Sequence, residues 1–425
     1  MLDIKLIRKN HAAILEKIRR KEPTLDLGDV LMLDEKVRAL KIEVEELQNK
    51  RNSDSKKVGE LKKQGESAEK LMSEVRSIGE QISTLHHVLA DVEAKFVDAL
   101  SRIPNLPMDD VLISQDKEKN VVIKEFGKKK SHSFTPKNHL ELNEKLKLFD
   151  FEHTAKTSGA GWPGYRGLGA RLEWALLTYM IDIQVLRGFE FWLPPAVVRP
   201  HIMFGSGQMP KFEGQFYEIH DDTHPLFLIP TAEVVLNGLH FDEILPEDQL
   251  PIKYAAYTPC FRKEAGAAGA GERGLIRVHQ FNKVEMFAFT HPEKSEEMFE
   301  EMLSIAEEIL QGLGLHYRLT KLVTGDMSFT AAKTVDVEVW LPGQNRYYEV
   351  SSISNCTDYQ ARRSQIRFKD RGGKAELVHT LNGSGLATPR LMVAILESCQ
   401  NSDGSVTLPP VLAEKLGLHQ LIPTQ

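Results

Sequence analysis

Two consecutive runs of apolar residues, each repeating every seven positions, constrain this chain more than any other feature of its sequence. The repeat spans residues 33–61 and resumes over residues 68–99, with alternating steps of three and four residues that are typical of a coiled-coil seam. The two seams mirror each other about residues 64 and 65, so that Leu47 opposes Ile82 and Leu33 opposes Phe96. Gly65 can turn the chain, and Ser67 can cap the next helix. The pattern predicts an antiparallel two-helix arm that extends about 50 Å, at roughly 1.5 Å per residue.

Charge is unevenly distributed along this arm. Residues 50–76 contain eight basic and five acidic residues, whereas the remainder of residues 30–100 contains four basic and nine acidic ones. Arg51 and Asp54 also occupy seam positions, which predicts looser packing in the half of the arm nearest its turn. A basic tip is typical both of an ordinary solvated coiled coil and of a surface that contacts nucleic-acid phosphates. The charge pattern by itself leaves both interpretations open.

The length and composition of the chain further narrow the class of protein to which it can belong. At 425 residues, 41% of them hydrophobic, the chain is too long for a single ordinary domain, which favours two folded domains. Its formal net charge of -6 argues against nucleic-acid binding over the whole surface. Cys260, Cys356 and Cys399 are far apart and form no Cys/His cluster, so we expect no zinc site and a reducing compartment. No segment has the length and apolarity of a membrane span, and the basic N-terminus is predicted to be an amphipathic helix rather than a targeting peptide.

The sequence changes character after the arm. Pro104 and Pro107 end the second helix, a charged connector follows, and from about residue 136 helical runs alternate with strand-like runs. The predicted strands are 252–264, 276–289, 335–341 and 345–353, and the predicted helices are 170–186, 295–311 and 389–399. This pattern predicts an α+β fold with mostly antiparallel strands. We therefore expect a helical arm domain at 1–105, a connector at 106–135 and a mixed domain at 136–425.

The stretch 257–287 carries the most informative side chains. It reads as two strands joined by a glycine- and alanine-rich loop, and residue alternation places five side chains on one face of the second strand: Arg277, His279, Phe281, Lys283 and Glu285. A strand face with these charged and aromatic side chains is suited to binding an anionic ligand that carries a ring. It is not suited to packing in an apolar core. Arg262, on the first strand, can form a forked contact with a phosphate.

This stretch resembles motif 2 of class II aminoacyl-tRNA synthetases, and its sequence TPCFRKEAG…RGLIRVHQFNKVEMF is similar to that of seryl-tRNA synthetases. The similarity continues through GSGQMPKF at 205–212, LIPTAEV at 228–234, TGDM at 324–327, EVSSISN at 349–355 and HTLNGSGLA at 379–387. The resemblance implies a tRNA-binding arm and a class II catalytic domain, an antiparallel sheet flanked by helices. It further implies a cytoplasmic homodimer, formed through residues 167–200, that uses ATP and Mg²⁺ but no zinc. Its substrates would be L-serine and tRNA(Ser), with tRNA(Sec) where that tRNA is present.

The resemblance also implies roles for individual residues. The catalytic residues would be Arg262, Glu285 and Arg390. The serine pocket would contain Thr231, Ala232, Glu233, Arg262, Glu285, Asn382 and Ser384. The ATP site would contain Arg262, Lys263, Glu264, Val278, Phe281, Glu349, Val350, Ser351, Ser352 and Arg390. Of these, Glu349 and Ser352 would hold Mg²⁺.

Several of these segments also have purely structural interpretations. Thr231 followed by Glu233 is typical of a helix N-cap with an acidic first turn, and Glu349 is equally compatible with a solvent-facing strand position. Two other functions compete for the whole chain. An amino-acid:carrier-protein ligase on the same core is disfavoured by the intact arm and by the lack of Cys/His clustering. A non-catalytic RNA-binding or scaffold protein is disfavoured by the joint presence of Arg262, Glu285 and Arg390.

Two segments depart from the family's pattern. The loop 265–272 is made largely of glycine and alanine, where bulkier polar residues, including an arginine, are common in the family. Thr388 and Pro389 precede Arg390, where a small residue and a glycine are more usual. We expect Thr388 to be the N-cap of the following helix and Pro389 to occupy its first position.

Replacing residues 36–94 by a short linker tests the division of labour that the sequence predicts. The seam is local to the arm and the recognised motifs lie beyond residue 200, so serine-dependent ATP–pyrophosphate exchange should stay close to that of the parent while tRNA charging collapses. Neutralising Lys56, Lys57, Lys62 and Lys63 should lower the slope of log affinity for tRNA against log salt by about one per lost phosphate contact. A deletion that spares charging, or one that also abolishes exchange, would contradict this division.

Overall fold

A computed structural model describes residues 1–221, 224–263, 273–370 and 372–423. The chain divides into two compact units, Met1–Pro104 and Asn105–Gln425. Within the described residues, no helix is long and apolar enough to cross a bilayer. The first unit is entirely helical and the second is mixed.

The first unit consists of four helices: α1 (Ile4–Lys9), α2 (His11–Arg19), α3 (Gly28–Gln64) and α4 (Glu69–Ser101). The two long helices form the antiparallel hairpin that the mirrored seam predicts. Gly65 ends α3 in the left-handed conformation, with φ of 76°, which a residue without a Cβ adopts at little cost. Ser67 does not cap α4, because Ala68 holds the N-cap position and no side chain bonds there.

The seam of the hairpin is packed best near its base. Val37, Leu89 and Val92 are buried there in one apolar cluster, against which Leu33, Leu40 and Phe96 pack. Nearer the turn, the seam includes the carboxylate of Asp54, which is 8% exposed and pairs with Lys57 at 3.2 Å. Val58 and Leu61 beyond it are only half-buried. The looser packing predicted for this half of the arm is therefore confirmed.

The second unit contains nine helices and eighteen strands among its described residues. The helices are α5 (His139–Leu146), α6 (Glu152–Ser158), α7 (Leu168–Leu186), α8 (Pro200–Gly205), α9 (Ala232–Gly238), α10 (Ser295–Gly312), α11 (Tyr359–Ser364), α12 (Thr388–Ser398) and α13 (Pro410–Leu416). The strands are β1 (Val121–Phe126), β2 (Phe149–Asp150), β3 (Gly164–Tyr165), β4 (Glu190–Trp192), β5 (Val197–Val198), β6 (Glu218–Ile219), β7 (Leu226–Leu228), β8 (Ile244–Pro246), β9 (Ile252–Phe261), β10 (Gln280–Thr290), β11 (Tyr317–Lys321), β12 (Lys333–Leu341), β13 (Arg346–Asn355), β14 (Arg367–Lys369), β15 (Ala375–Leu377), β16 (His379–Ala387), β17 (Val406–Thr407) and β18 (Gln420–Leu421).

An eight-stranded sheet organises this unit, in the order β1-β11-β12-β13-β16-β10-β9-β4. All neighbouring strands are antiparallel except β4 and β9, which are parallel. Helices α7, α10 and α12 pack on one face and build the larger apolar core. A second core lies against α8, α9 and α11. The predicted α+β class is thus confirmed.

The predicted strand 276–289 begins later than expected. Residues Gly274–Ile276 form a short 3₁₀ turn and β10 starts only at Gln280. Arg277 and His279 therefore lie before the strand, while Phe281, Lys283 and Glu285 share one of its faces as predicted. The His279 ring stacks on Trp162 with 5.3 Å between ring centroids.

Substituting Asp54 should strengthen the arm. A buried carboxylate in an apolar seam costs more in desolvation than its ion pair with the exposed Lys57 returns, so Asp54→Leu should stabilise the hairpin by about 1–3 kcal/mol. Hydrogen exchange of the α3 amides would measure this change. Asp91→Leu, on the exposed face of α4, is the matched control and should change stability by less than about 0.5 kcal/mol. Faster exchange in Asp54→Leu would contradict the interpretation of the seam.

Candidate active site

Two adjoining cavities open on the face of the central sheet formed by β10, β16 and β13. The first has a volume of about 370 Å³ and the second a volume of about 630 Å³. Four polar residues line both cavities: Arg262, Lys283, Glu349 and Ser384. A ligand that extends from one cavity into the other must therefore pass these four side chains.

Most of the predicted site residues line one of these cavities. Those around the first cavity are Thr231, Glu233, Arg262, Glu285, Glu349, Ser352, Asn382 and Ser384. Those around the second are Arg262, Val278, Phe281, Glu349, Val350, Ser384 and Arg390. Glu264 and the loop 265–272 lie outside the described residues.

Among the described residues, three predicted site residues line neither cavity. Ala232 is fully buried in the core on the α9 side of the sheet. Lys263 is exposed, with its ammonium group 5.7 Å from the centre of the Tyr217 ring. Ser351 is buried, and its hydroxyl donates a 2.5 Å hydrogen bond to the carbonyl oxygen of Ser384. Its side chain supports the wall of the site from behind.

Thr231 combines a structural and a binding position. It is the N-cap of α9, because its hydroxyl accepts a hydrogen bond from the backbone N–H of Glu233 at 3.2 Å. The same hydroxyl donates to Glu285 at 3.3 Å and accepts from the Lys283 ammonium at 2.7 Å. The N-cap interpretation is therefore confirmed, and the same side chain forms part of the cavity wall.

Lys283 is the most important residue of the first cavity that the sequence analysis did not assign to the site. It is 5% exposed and forms an ion pair with Glu285, which is 2% exposed. The two residues are two positions apart on β10, so alternation brings them to the same face. Its place on the predicted strand face was the only signal for it.

Glu233 is a second buried carboxyl of the first cavity. Burial raises the pKa of Glu233 to about 7, and the nearby charge of Glu285 adds to this effect. Hydrogen bonds from Gln360 and Asn382, together with the charge of Lys283, oppose the shift. Gln360 donates to Glu233 at 2.6 Å from α11, a contact that no local sequence pattern could indicate.

The second cavity begins where Arg262 lies over the Phe281 ring, 5.1 Å from its centre. The Arg262 Nε also donates to the carbonyl oxygen of Pro230 at 3.4 Å. These contacts hold the guanidinium beside an aromatic face. A planar base and a phosphate group would find complementary surfaces here.

Arg390 and Glu349 lie on the opposite side of the second cavity. Arg390 donates to the carbonyl oxygen of Glu349 at 2.9 Å and forms a 3.4 Å ion pair with its carboxylate. Both Arg390 and Arg346 lie over the Tyr348 ring, at 4.8 and 4.9 Å from its centre. The ring therefore fixes two guanidinium groups on one side of the cavity.

The oxygen atoms near Glu349 are suited to a hard cation. Glu349 and Ser352 both line the first cavity, and the largely buried carboxyl of Asp336 lies close to both of them. Burial raises the pKa of Asp336, and the charge of Glu349 raises it further. No cluster of three or more His, Cys, Asp or Glu side chains capable of holding a metal occurs among the described residues. Two protein oxygens fit Mg²⁺, which keeps waters and phosphate oxygens as its remaining ligands.

The start of α12 differs from the expectation. The helix begins at Thr388, Ala387 holds the N-cap position and no side chain caps the helix. The Thr388 hydroxyl instead donates to Glu173 of α7 and lies 3.1 Å from the carbonyl oxygen of Asn282. Thr388 is therefore not the N-cap, because its hydroxyl is directed into the core.

Comparisons with known proteins agree with this architecture. The chain matches the models of the seryl-tRNA synthetase N-terminal domain over residues 1–107 and of the tRNA synthetase class II core domain (G, H, P, S and T) over residues 216–399. It is 56% identical to a serine–tRNA ligase of Chlamydia felis, with 100% of both chains covered. The structure of seryl-tRNA synthetase from Pyrococcus horikoshii, complexed with ATP, superposes with a TM-score of 0.91 at 37% identity over the full length of both chains.

The sheet and the two cavities are thus those of a class II aminoacyl-tRNA synthetase. The match extends over the arm as well as the core, whereas an amino-acid:carrier-protein ligase on the same core would lack the arm. The chain belongs to the seryl-tRNA synthetase family. The resemblance inferred from the sequence is therefore confirmed.

The raised pKa of Glu233 predicts a pH-dependent difference in stability. The folded state binds more protons than the unfolded state between pH 4.5 and about 7, so the stability of the parent falls as pH rises through this window. Glu233→Gln should therefore gain stability relative to the parent by up to about 3 kcal/mol between pH 5 and pH 8. Urea denaturation at both pH values measures this gain. Glu144→Gln, at an exposed position, should show none, and an equal difference in both variants would refute the raised pKa of Glu233.

Proposed function

We propose that this enzyme condenses L-serine with ATP to form seryl-adenylate and then transfers serine to the terminal ribose of tRNA(Ser), and of tRNA(Sec) where that tRNA is present. The observation that carries the proposal is the junction of an acidic polar cavity with a cation-rich cavity at Arg262. Amino-acid activation requires this arrangement, because the carboxylate of one substrate must meet the α-phosphate of the other.

The first cavity is suited to the polar groups of serine. Glu233 and Glu285 supply acceptors for the ammonium group, and Thr231, Asn382 and Ser384 supply polar groups for the remainder of the amino acid. Alanine would leave a buried polar group of the pocket without its partner, and such sites discriminate by about 10⁴-fold or more. Threonine would be excluded by the size of the pocket.

The second cavity is suited to ATP. Phe281 would stack on adenine beside Val278, Arg262 would bind the α-phosphate, and Arg390 would neutralise the far end of the triphosphate. Glu349 and Ser352 would hold Mg²⁺, which supplies further charge neutralisation to the phosphates when it is bound. Within the same site, Glu264, whose position is not described, would contribute to binding of the base.

Catalysis would rest on positioning and on charge neutralisation. The serine carboxylate attacks the α-phosphorus in line, a bond to the carboxylate oxygen forms, and the bond to the leaving pyrophosphate breaks. Arg262 and Arg390 stabilise the negative charge that moves onto the phosphate oxygens. The ribose hydroxyl of tRNA then attacks the seryl carbonyl and AMP leaves. No covalent enzyme intermediate is required.

The remaining proposals concern organisation and partners. Residues 1–105 would form the tRNA-binding domain, with 106–135 as connector and 136–425 as the catalytic domain. The basic tip of the α3–α4 hairpin would contact tRNA phosphates. Residues 167–200 would form the interface of a cytoplasmic homodimer. The proposed interface is supported by large apolar side chains exposed within residues 167–200. Trp174 is 59% exposed, Leu186 is 84% exposed and Leu193 is 71% exposed.

Serine-dependent ATP–pyrophosphate exchange tests the proposed function directly. The full-length enzyme should incorporate labelled pyrophosphate into ATP only when serine is present, because the polar groups of the first cavity need the hydroxyl of the substrate. Alanine, threonine and cysteine serve as matched controls and should be poorer substrates by orders of magnitude. Exchange with alanine equal to that with serine would refute the assignment of the first cavity.

Substituting Arg262 tests the junction of the two cavities. Arg262→Ala should depress the rate of adenylate formation by about 10² or more, because it removes a preorganised charge donor at the α-phosphate. Arg262→Lys should recover only part of the loss, because an ammonium group lacks the planar fork of guanidinium. Arg367→Ala removes an arginine that pairs with Asp242 outside both cavities and should leave the rate unchanged. Activity of Arg262→Ala within about twofold of the parent would exclude the proposed role.

A further inference from the structure

A buried polar cluster lies behind the central sheet, on the face away from the two cavities. Glu173 of α7 is 4% exposed and Thr388 of α12 is fully buried. The Asn282 side-chain amide donates to the Glu173 Oε1 at 3.0 Å, and the Thr388 hydroxyl donates to the same oxygen. The Thr388 hydroxyl also lies 3.1 Å from the backbone carbonyl oxygen of Asn282. One carboxyl group thus joins a helix, the central strand and the start of a second helix.

Both partners of Glu173 are close in sequence to proposed ATP contacts. Asn282 lies between Phe281 and Lys283 on β10, and alternation directs it to the opposite face of the strand. Thr388 precedes Arg390 by two residues at the start of α12. The cluster therefore connects the segment that carries the aromatic ring of the second cavity with the segment that carries its distal arginine.

The surroundings of Glu173 are unfavourable for a carboxyl group. It lies beside the larger apolar core, and burial raises its pKa to about 7 despite the hydrogen bonds from Thr388 and Asn282. Its Oε2 atom has no hydrogen-bond partner among the described residues. A buried polar group with an unsatisfied atom destabilises a core relative to an apolar side chain. The presence of Glu173 is therefore better explained by the segments of β10 and α12 that it positions than by a contribution to folding stability.

We propose that Glu173 is a positioning residue for ATP, which holds β10 and the first turn of α12 at the separation that the second cavity requires. This inference rests on the proposed function of that cavity. The link from Glu173 reaches the segment of Arg390 through the Thr388 hydroxyl. Thr388 stands at a position where a small residue is more usual in the family. Loss of the link would let Phe281 and Arg390 shift relative to each other. Misplaced binding groups bind substrate more weakly, even when every one of those groups is still present.

Steady-state exchange kinetics of Glu173→Ala and Thr388→Val test the proposal. Each should raise the KM for ATP by about tenfold, corresponding to about 1.4 kcal/mol, and leave the KM for serine within about twofold of the parent. Thr388→Val changes one hydroxyl to a methyl group and keeps the variant folded even if Glu173→Ala is unstable. The double variant should be no worse than the more affected single one, because both substitutions break the same link.

Thr290→Val is the matched control. Thr290 lies on the same strand, β10, is fully buried like Thr388, and its hydroxyl has no hydrogen-bond partner among the described residues. Thr290→Val should leave the KM values for ATP and for serine unchanged.

Glu173→Gln is the conservative variant. It keeps an acceptor at Oε1 and matches the shape of the protonated carboxyl, so its KM for ATP should stay within about twofold of that of the parent.

Three outcomes would overturn the proposal. The first is a normal KM for ATP in both Glu173→Ala and Thr388→Val. The second is an equal rise in the KM for ATP and for serine, which would indicate a general structural role. The third is multiplicative effects in the double variant. Failure of the proposed function would be distinct, because the parent enzyme itself would then show no serine-dependent exchange.

Discussion

The pairing of β10 with β9 on one side and β16 on the other is the constraint on which the rest of the catalytic unit depends. It places Lys283 opposite Thr258 in one strand and Glu285 opposite Ser384 in the other. Because side chains alternate along β10, one register sends Phe281, Lys283 and Glu285 to the cavities and Val284 to the core. A slip of one residue would exchange these two sets, so that the same pairing determines both stability and chemistry.

The two cavities have opposite electrostatic characters although they share a wall. The first contains three carboxyl groups, those of Glu233, Glu285 and Glu349, against the cations of Arg262 and Lys283. The second is dominated by cations: Lys117, Arg262, Arg277, Lys283, Arg346 and Arg390. Such a division attracts an ammonium group to one side and a triphosphate to the other, which orients both substrates before they react.

Sequence reasoning predicted the parts of the fold that follow from local periodicity. The mirrored seam predicted the α3–α4 hairpin and its turn at Gly65, and the alternation of polar residues predicted which side of β10 carries Phe281 and Glu285. It failed where long-range packing overrides local preference. His279 has the correct spacing for the strand face, but a 3₁₀ turn precedes β10 and the ring stacks on Trp162 instead. Local capping rules likewise favoured Thr388 as an N-cap, because they do not include Glu173, which lies 215 residues away.

The position of β16 in the sheet has a consequence for the order in which the chain can be assembled. β16 lies between β10 and β13, so the strands β4, β9 and β10 are separated from β13, β12, β11 and β1 until residues His379–Ala387 have been synthesised. During translation, these two incomplete sheets each present an unpaired edge, which is the usual site of aggregation. The hairpin of α3 and α4 needs no residue beyond Ser101 and can form while the remainder of the chain is still on the ribosome. The nascent enzyme therefore has a completed arm long before its catalytic sheet can close.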